Sequence, residues 1–178
     1  MAQKEVTTER PTAEKFVTSA LRNRIKLELN APVSAVWAIA GDPGRMPEYS
    51  GGLEKVDTKK DSSGNCSAYT CYFKPIEAGG QSIVHHVKMV WYEPNKGWAS
   101  IDEEPNAFGL QQSLSLQTFE ANDNKTILTW SMHFNSENEE SLKANVSALE
   151  QALNKDIAQN LIKKFGGRIV ESYVEGKN

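Results

Sequence analysis

The apolar positions of this chain change spacing along its length, and each change predicts an element. From Asn23 they alternate, with Ile25, Leu27 and Leu29 on one side and Lys26, Glu28 and Asn30 on the other, the pattern of a half-buried strand. Asn30-Ala31-Pro32 closes it. Val33, Val36, Trp37 and Ala40 then recur at helical spacing until the Gly41–Gly44 break, and a second short helix is predicted over Arg45–Tyr49. Strands follow near Leu53–Lys59, Ser67–Phe73, Ser82–Tyr92, Gly97–Glu103, Gly109–Glu120 and Lys125–Asn135, separated by turn-rich stretches at 61–64, 77–80, 93–97 and 121–124. Loops of that length make consecutive strands pair antiparallel.

The last change of period is the longest-lived. Leu142, Val146, Leu149, Leu153, Ile157, Leu161 and Phe165 form one apolar stripe within a helix predicted over Ser136–Phe165. Ser136 with Glu139 reads as a capping box, and Lys163, Lys164 and the Gly166-Gly167 pair mark the other end. At about 1.5 Å per residue such a helix is roughly 43 Å long, so its stripe needs a whole sheet as partner.

Alternation assigns Ile83, His85, Val87, Met89 and Trp91 to the helix-facing side. It also assigns Leu110, Gln112, Leu114, Leu116 and Thr118, and Leu128, Trp130, Met132 and Phe134, to that side. Lys88, Gln111, Ser113, Ser115, Gln117 and Thr129 fall on the other side, which is expected to be wet. Residues 1–22 carry no sustained period and read as a tail, partly disordered, ahead of a single domain over 23–178. Within that tail Phe16, Val17, Ala20 and Leu21 either form a short helical turn or dock extended on the domain.

Composition narrows the function classes. The chain has 178 residues, 39% apolar and 24% charged, with a net charge of -3, enough for one sizeable core and without the basic footprint of a nucleic-acid binder. No signal-peptide-like apolar run opens the sequence, and it nowhere reaches the roughly 18 consecutive apolar residues of a membrane span. A cytoplasmic protein without an integral membrane segment is therefore expected. Cys66 and Cys71, at odd separation on one strand, point to opposite faces and are not expected to bridge.

Candidate chemistry is sparse. His85 and His86 are sequence neighbours on a strand and so cannot chelate together, and His133 faces away from Trp130 and Met132; neither a metal site nor a cofactor is expected. His85 stands out because it interrupts an apolar inward face, either as a core histidine hydrogen-bonded to a neighbour or as a ligand contact or acid/base group. Gln112 and Asn145 have the same two readings. Tyr69 and Tyr72 face opposite ways, so one at most reaches the interior, and parity alone does not decide which. Asp102-Glu103-Glu104 reads as a solvated acidic strand end. No nucleophile elbow, phosphate loop, dinucleotide fingerprint or zincin helix is present.

Certain stretches resemble a known family. The run Asn30-Ala31-Pro32-Val33-Ser34-Ala35-Val36-Trp37 and the stretch Asp42–Val56, with Pro43, Met46, Tyr49 and Gly51-Gly52, are similar to the opening of polyketide cyclase/dehydrase-like SRPBCC proteins. These belong to the START-like helix-grip superfamily. Thr126–Phe134 followed by a long terminal helix fits as well, so the resemblance covers Asn23–Gly166. It implies an α+β helix-grip fold: a curved seven-stranded antiparallel sheet wrapped around the C-terminal helix, two short helices between the first two strands, and a cavity between sheet and helix.

With such a cavity, the candidate ligand contacts are Tyr72, His85, Val87, Met89, Gln112, Leu114, Trp130 and Met132 from the sheet. Asn145, Leu149 and Leu153 join them from the helix. The expected partner is a small hydrophobic molecule, a lipid, isoprenoid or polyketide. The alternative is a cyclase/dehydratase-like enzyme using a polar cavity residue as acid/base. Nothing in the sequence points to a protein partner.

Overall fold

In the computed structural model, which describes residues 10–75 and 77–177, eight antiparallel strands form one sheet in the order β2-β3-β4-β5-β6-β7-β1-β8. The strands are β1 (Leu21–Leu29), β2 (Leu53–Lys60), β3 (Cys66–Phe73), β4 (Ile83–Glu93), β5 (Gly97–Asp102), β6 (Leu110–Asn122), β7 (Lys125–Ser136) and β8 (Gly167–Val174). Between β1 and β2 lie helix α1 (Val33–Ala40) and a 3-10 turn (Pro43–Glu48). The C-terminal helix runs as α2 (Glu139–Glu150), a π-helical stretch (Gln151–Ile157) and α3 (Ala158–Phe165). This is the helix-grip arrangement, with one strand more than the seven expected.

Strand β1 sits between β7 and β8, and its inward residues Ile25, Leu27 and Leu29 are fully buried beneath the helix. Complete burial of each such side chain is worth about 1.5–3 kcal/mol, so this strand anchors the core. Asn23, on the same strand, is also fully buried and donates from Nδ2 to the Val146 carbonyl at 3.2 Å, tying helix to sheet. The helix begins two residues later than predicted. Asn138, not Ser136, is its N-cap, accepting from Ser141 N at 2.9 Å, because Ser136 is still paired in β7.

The π-helical stretch has a cause in the sequence. Leu149, Leu153, Ile157, Leu161 and Phe165 recur every four residues, which over-rotates an α-helix of about 3.6 residues per turn by roughly 40° at each step. A wider turn absorbs that drift and keeps the stripe on the sheet. Gly166, at φ 73°, then ends the helix, and a Cβ at Gly167 would stand 2.0 Å from the Glu28 carbonyl oxygen. Glycine there lets the chain turn straight back into β8 against β1. Strand β8 was not predicted because, at the sheet edge, its residues alternate only weakly between half-buried and exposed.

Three register shifts reverse predicted faces. Between Gln111 and Leu114 the β6–β7 register shifts, with Gln112 at φ 47°, and beyond that point Ser115 and Gln117 turn inward while Leu114 and Leu116 turn outward. A second shift, between Met89 and Trp91, sends Trp91 to the outer face. A third, at the start of β3, brings Cys66 into the same core as Cys71, and both remain free thiols.

The outer face is not simply wet. Ala13, Phe16 and Val17, from a 3-10 turn at Ala13–Lys15 and the residues after it, pack there with Ala99, Leu114 and Leu116. The part of the expected tail that is described is thus docked; residues 1–9 lie outside the described residues.

Candidate functional site

A cavity of about 160 Å³ lies between the inner face of the sheet and the C-terminal helix. Its floor is the middle of the sheet, with Tyr69, Cys71 and Phe73 from β3, His85 and Val87 from β4, Ser100 and Asp102 from β5, Ser115 from β6, and Trp130 and Met132 from β7. Leu149, Ala152, Leu153 and Ile157 form the roof, so the widened helical turn spans the cavity. Met46, Ser50, Leu53, Phe108 and Leu110 complete the wall. A wider hollow of about 460 Å³ lies beside the N-terminal segment, but it is a surface feature bordered by Glu14, Lys15 and Glu104.

The polar groups of the cavity are paired across strands. Tyr69 Oη and Ser100 Oγ are 2.8 Å apart, and Trp130 Nε1 donates to Ser115 Oγ at 2.8 Å. His85 Nε2 is 2.9 Å from Asp102 Oδ1, with side-chain exposures of only 8% and 11%. A carboxylate can only accept, so Nε2 carries the hydrogen. Nδ1 of the same ring is buried and has no partner among the described residues. Around the imidazole, the Phe108 ring lies 5.3 Å away and the Phe73 ring 6.3 Å away.

Burial decides the protonation of the other candidates. It raises the Tyr69 hydroxyl well above the ordinary tyrosine range, and it pushes the Cys71 thiol up to about 12, with the nearby Asp102 charge adding to the effect. Neither a phenolate nor a thiolate nucleophile is available in the cavity near neutral pH. The remaining ionisable pair on the wall is His85 with Asp102.

Two loops border the cavity. The 50–52 turn is tied to the helix, where Gly51 N donates to Asp156 Oδ2 at 2.7 Å while Lys74 Nζ donates to the Gly51 carbonyl at 2.7 Å. The β5–β6 loop carries Phe108, and Asn106 shapes it by accepting from the Phe108 and Leu110 amides at 3.0 and 3.1 Å.

Of the sequence candidates, His85, Val87, Trp130, Met132, Leu149 and Leu153 line the cavity. Met89 is on the same inner face but packs in the surrounding core. Tyr72 faces outward, with Lys55 Nζ 4.9 Å from its ring centre, and Tyr69 takes the inward place. Gln112 sits in the bulge and accepts from Thr18 Oγ1 on the outer side, and Leu114 packs against Ala13 and Ala99. Asn145 is beside the cavity rather than in it, donating to the Phe108 carbonyl at 3.3 Å and to Ser136 Oγ at 3.1 Å.

Asp102 corrects the reading of Asp102-Glu103-Glu104 as a solvated run: its carboxylate is turned inward and paired. The signal was present in the alternation Trp98-Ser100-Asp102, which puts all three on the inner face.

Residues 21–164 match the polyketide cyclase/dehydrase and lipid transport family, and the chain belongs to it. Among solved structures, the Zhui aromatase/cyclase from Streptomyces sp. R1128 is 13% identical, with a TM-score of 0.58 over 82% of this chain and 93% of that one. A START superfamily protein from Mycobacterium smegmatis is 13% identical, with a TM-score of 0.56 over 76% of this chain and 96% of that one. A protein from Thermobifida fusca is 15% identical, with a TM-score of 0.61 over 80% and 91%. Identities this low establish a shared fold. No curated protein matches the chain.

Proposed function

We propose that this protein binds a small hydrophobic molecule, of lipid, isoprenoid or polyketide-like chemistry, between the sheet and the C-terminal helix. The observation that carries this reading is the cavity itself. A close-packed interior leaves few voids larger than a water molecule, whereas here about 160 Å³ is left free and walled largely by apolar side chains. Family membership agrees with such a role. The volume is below the roughly 300–1,000 Å³ of most ligand pockets, which favours a compact occupant. Native mass spectrometry of protein purified under mild conditions, followed by calorimetry with the extracted molecule, tests the reading. A stoichiometric organic adduct supports it; no adduct, together with no uptake of apolar probes, overturns it.

A second reading is favoured by the His85–Asp102 pair, an orientation-fixed imidazole on the cavity wall. In a cyclase/dehydratase-like enzyme this imidazole would take a proton from a carbon or hydroxyl of a bound polyketone and return one to the leaving oxygen. The Zhui aromatase/cyclase has the same fold. Turnover of short polyketone substrates by wild type that falls about 10²- to 10⁴-fold in His85→Gln supports catalysis. Binding without turnover in both proteins leaves a pure binder.

A further inference from the structure

We propose that the occupant of this cavity is a compact, mostly apolar molecule bearing one hydroxyl donor, a phenol or a small alcohol, whose O–H is held by Nδ1 of His85. This inference rests on the binding reading above and specifies the chemistry that the cavity selects.

The imidazole has two nitrogens and only one is used by the protein. In the tautomer whose Nε2 hydrogen is given to Asp102, Nδ1 is a lone-pair acceptor, and that atom is buried with no partner among the described residues. A buried acceptor left unpaired is costly, and the rings beside it, Phe73 and Phe108, offer no donor. Elsewhere on the wall, Tyr69 is joined to Ser100 and Trp130 to Ser115. Apolar side chains make up most of the wall, with the Ser50 hydroxyl and the Cys71 thiol beside them, and among the described lining residues Nδ1 of His85 is the buried polar atom left without a partner.

Charge sharpens the selection. A carboxylate ligand would bring a second acceptor to the Nδ1 lone pair, with the Asp102 carboxylate on the far side of the same ring, whereas a neutral hydroxyl supplies the missing hydrogen. Size sets the rest. A cavity of about 150 Å³ lined by apolar side chains holds benzene, so about 160 Å³ suits a single substituted ring.

Calorimetry at pH 8 with phenol, toluene, benzene and benzoate provides the test, because phenol and toluene have nearly the same shape and differ in the donor. We expect phenol to bind, benzoate not to bind, and the preference for phenol over toluene to fall roughly tenfold in His85→Phe. If that variant does not fold, the imidazole nitrogen signals of the wild type give the same answer: phenol shifts Nδ1 and toluene does not. An unchanged phenol-to-toluene ratio in the variant, an unmoved Nδ1 signal with phenol bound, or tight benzoate binding would overturn the hydroxyl assignment and leave ligand binding standing. Failure of even benzene and toluene to bind would overturn the binding reading, and this inference with it.

Discussion

His85 and Asp102 meet on a diagonal: the residue directly across from Asp102 in the β4–β5 ladder is Val87, and His85, two places earlier on β4, reaches over it to place Nε2 2.9 Å from the carboxylate. Diagonal neighbours of this kind lie within reach of long side chains. The pair is nearly excluded from solvent, so removing one member strands the other. We expect His85→Leu to cost about 3–5 kcal/mol by leaving a buried charge without its partner. Asp102→Leu should cost about 1–3 kcal/mol through an unpaired ring nitrogen. The double variant should cost well under the sum of the two. Urea denaturation of the four proteins measures the coupling, and additive losses would show that the two groups do not depend on each other.

The roof should divide into core and cavity. Leu161 is fully buried and away from the cavity, whereas Leu149 is half-buried and lines it. Leu161→Ala should cost about 3–5 kcal/mol, as a close-packed site does, and Leu149→Ala under about 2 kcal/mol, because it enlarges a space already present. Leu149→Ala should also change the affinity for apolar probes. Equal losses at the two positions, with unaltered probe binding, would place Leu149 in ordinary core.

The same residues show what the sequence made legible. Element order, the long helix and its stripe follow from spacing alone, since each stripe residue is set by the need to cover the sheet. Which strand residues face the cavity depends on counting by twos, and one extra residue inverts the count. All six of His85, Val87, Trp130, Met132, Gln112 and Leu114 are assigned inward by that count; the first four precede or avoid the bulges and do face inward, whereas Gln112 and Leu114 lie in or just past one and face outward. A bulge is a local backbone event, and here Gln112 gives no glycine to announce it. Asp102 was hidden differently. Its neighbours Glu103 and Glu104 make a charged run that masks the inward alternation Trp98-Ser100-Asp102, and the cross-strand histidine is what pairs the inward carboxylate.

Asn145 should act on the cavity from outside it. Its two hydrogen bonds hold the Phe108 carbonyl and Ser136 to the helix. Asn145→Ala should lose about 1–2 kcal/mol and release the loop that carries Phe108. Amide hydrogen exchange at Phe108 and Gly109 should quicken, and ligand dissociation with it, while the exposed control Lys143→Ala leaves both unchanged. Unchanged exchange at Phe108 would show that Asn106 alone holds the loop.

Alkaline stability should report the buried thiols. Burial raises Cys66 to about 11 and Cys71 to about 12, from a reference of 9.0. Below about pH 9 both are protonated whether the chain is folded or not, and their contribution is constant. Between 9 and their folded values the unfolded chain loses these protons and the folded one keeps them. The unfolded state then binds fewer protons, so folding stability falls as pH rises. Each thiol contributes up to about 1.4 kcal/mol per pH unit in that window. Urea denaturation at pH 8, 9 and 10 should show a steeper loss in wild type than in Cys66→Ala/Cys71→Ala, although the double variant starts from lower stability. Both proteins carry the same tyrosines and lysines, so the difference in slope comes from the thiols and, to a smaller extent, from Tyr49, Tyr69 and Tyr92, whose hydroxyls burial raises first and the thiolate charges raise further. Parallel slopes would mean that the thiols ionise as readily in the folded protein as in the unfolded chain, and that the cavity wall at Cys71 is open to water.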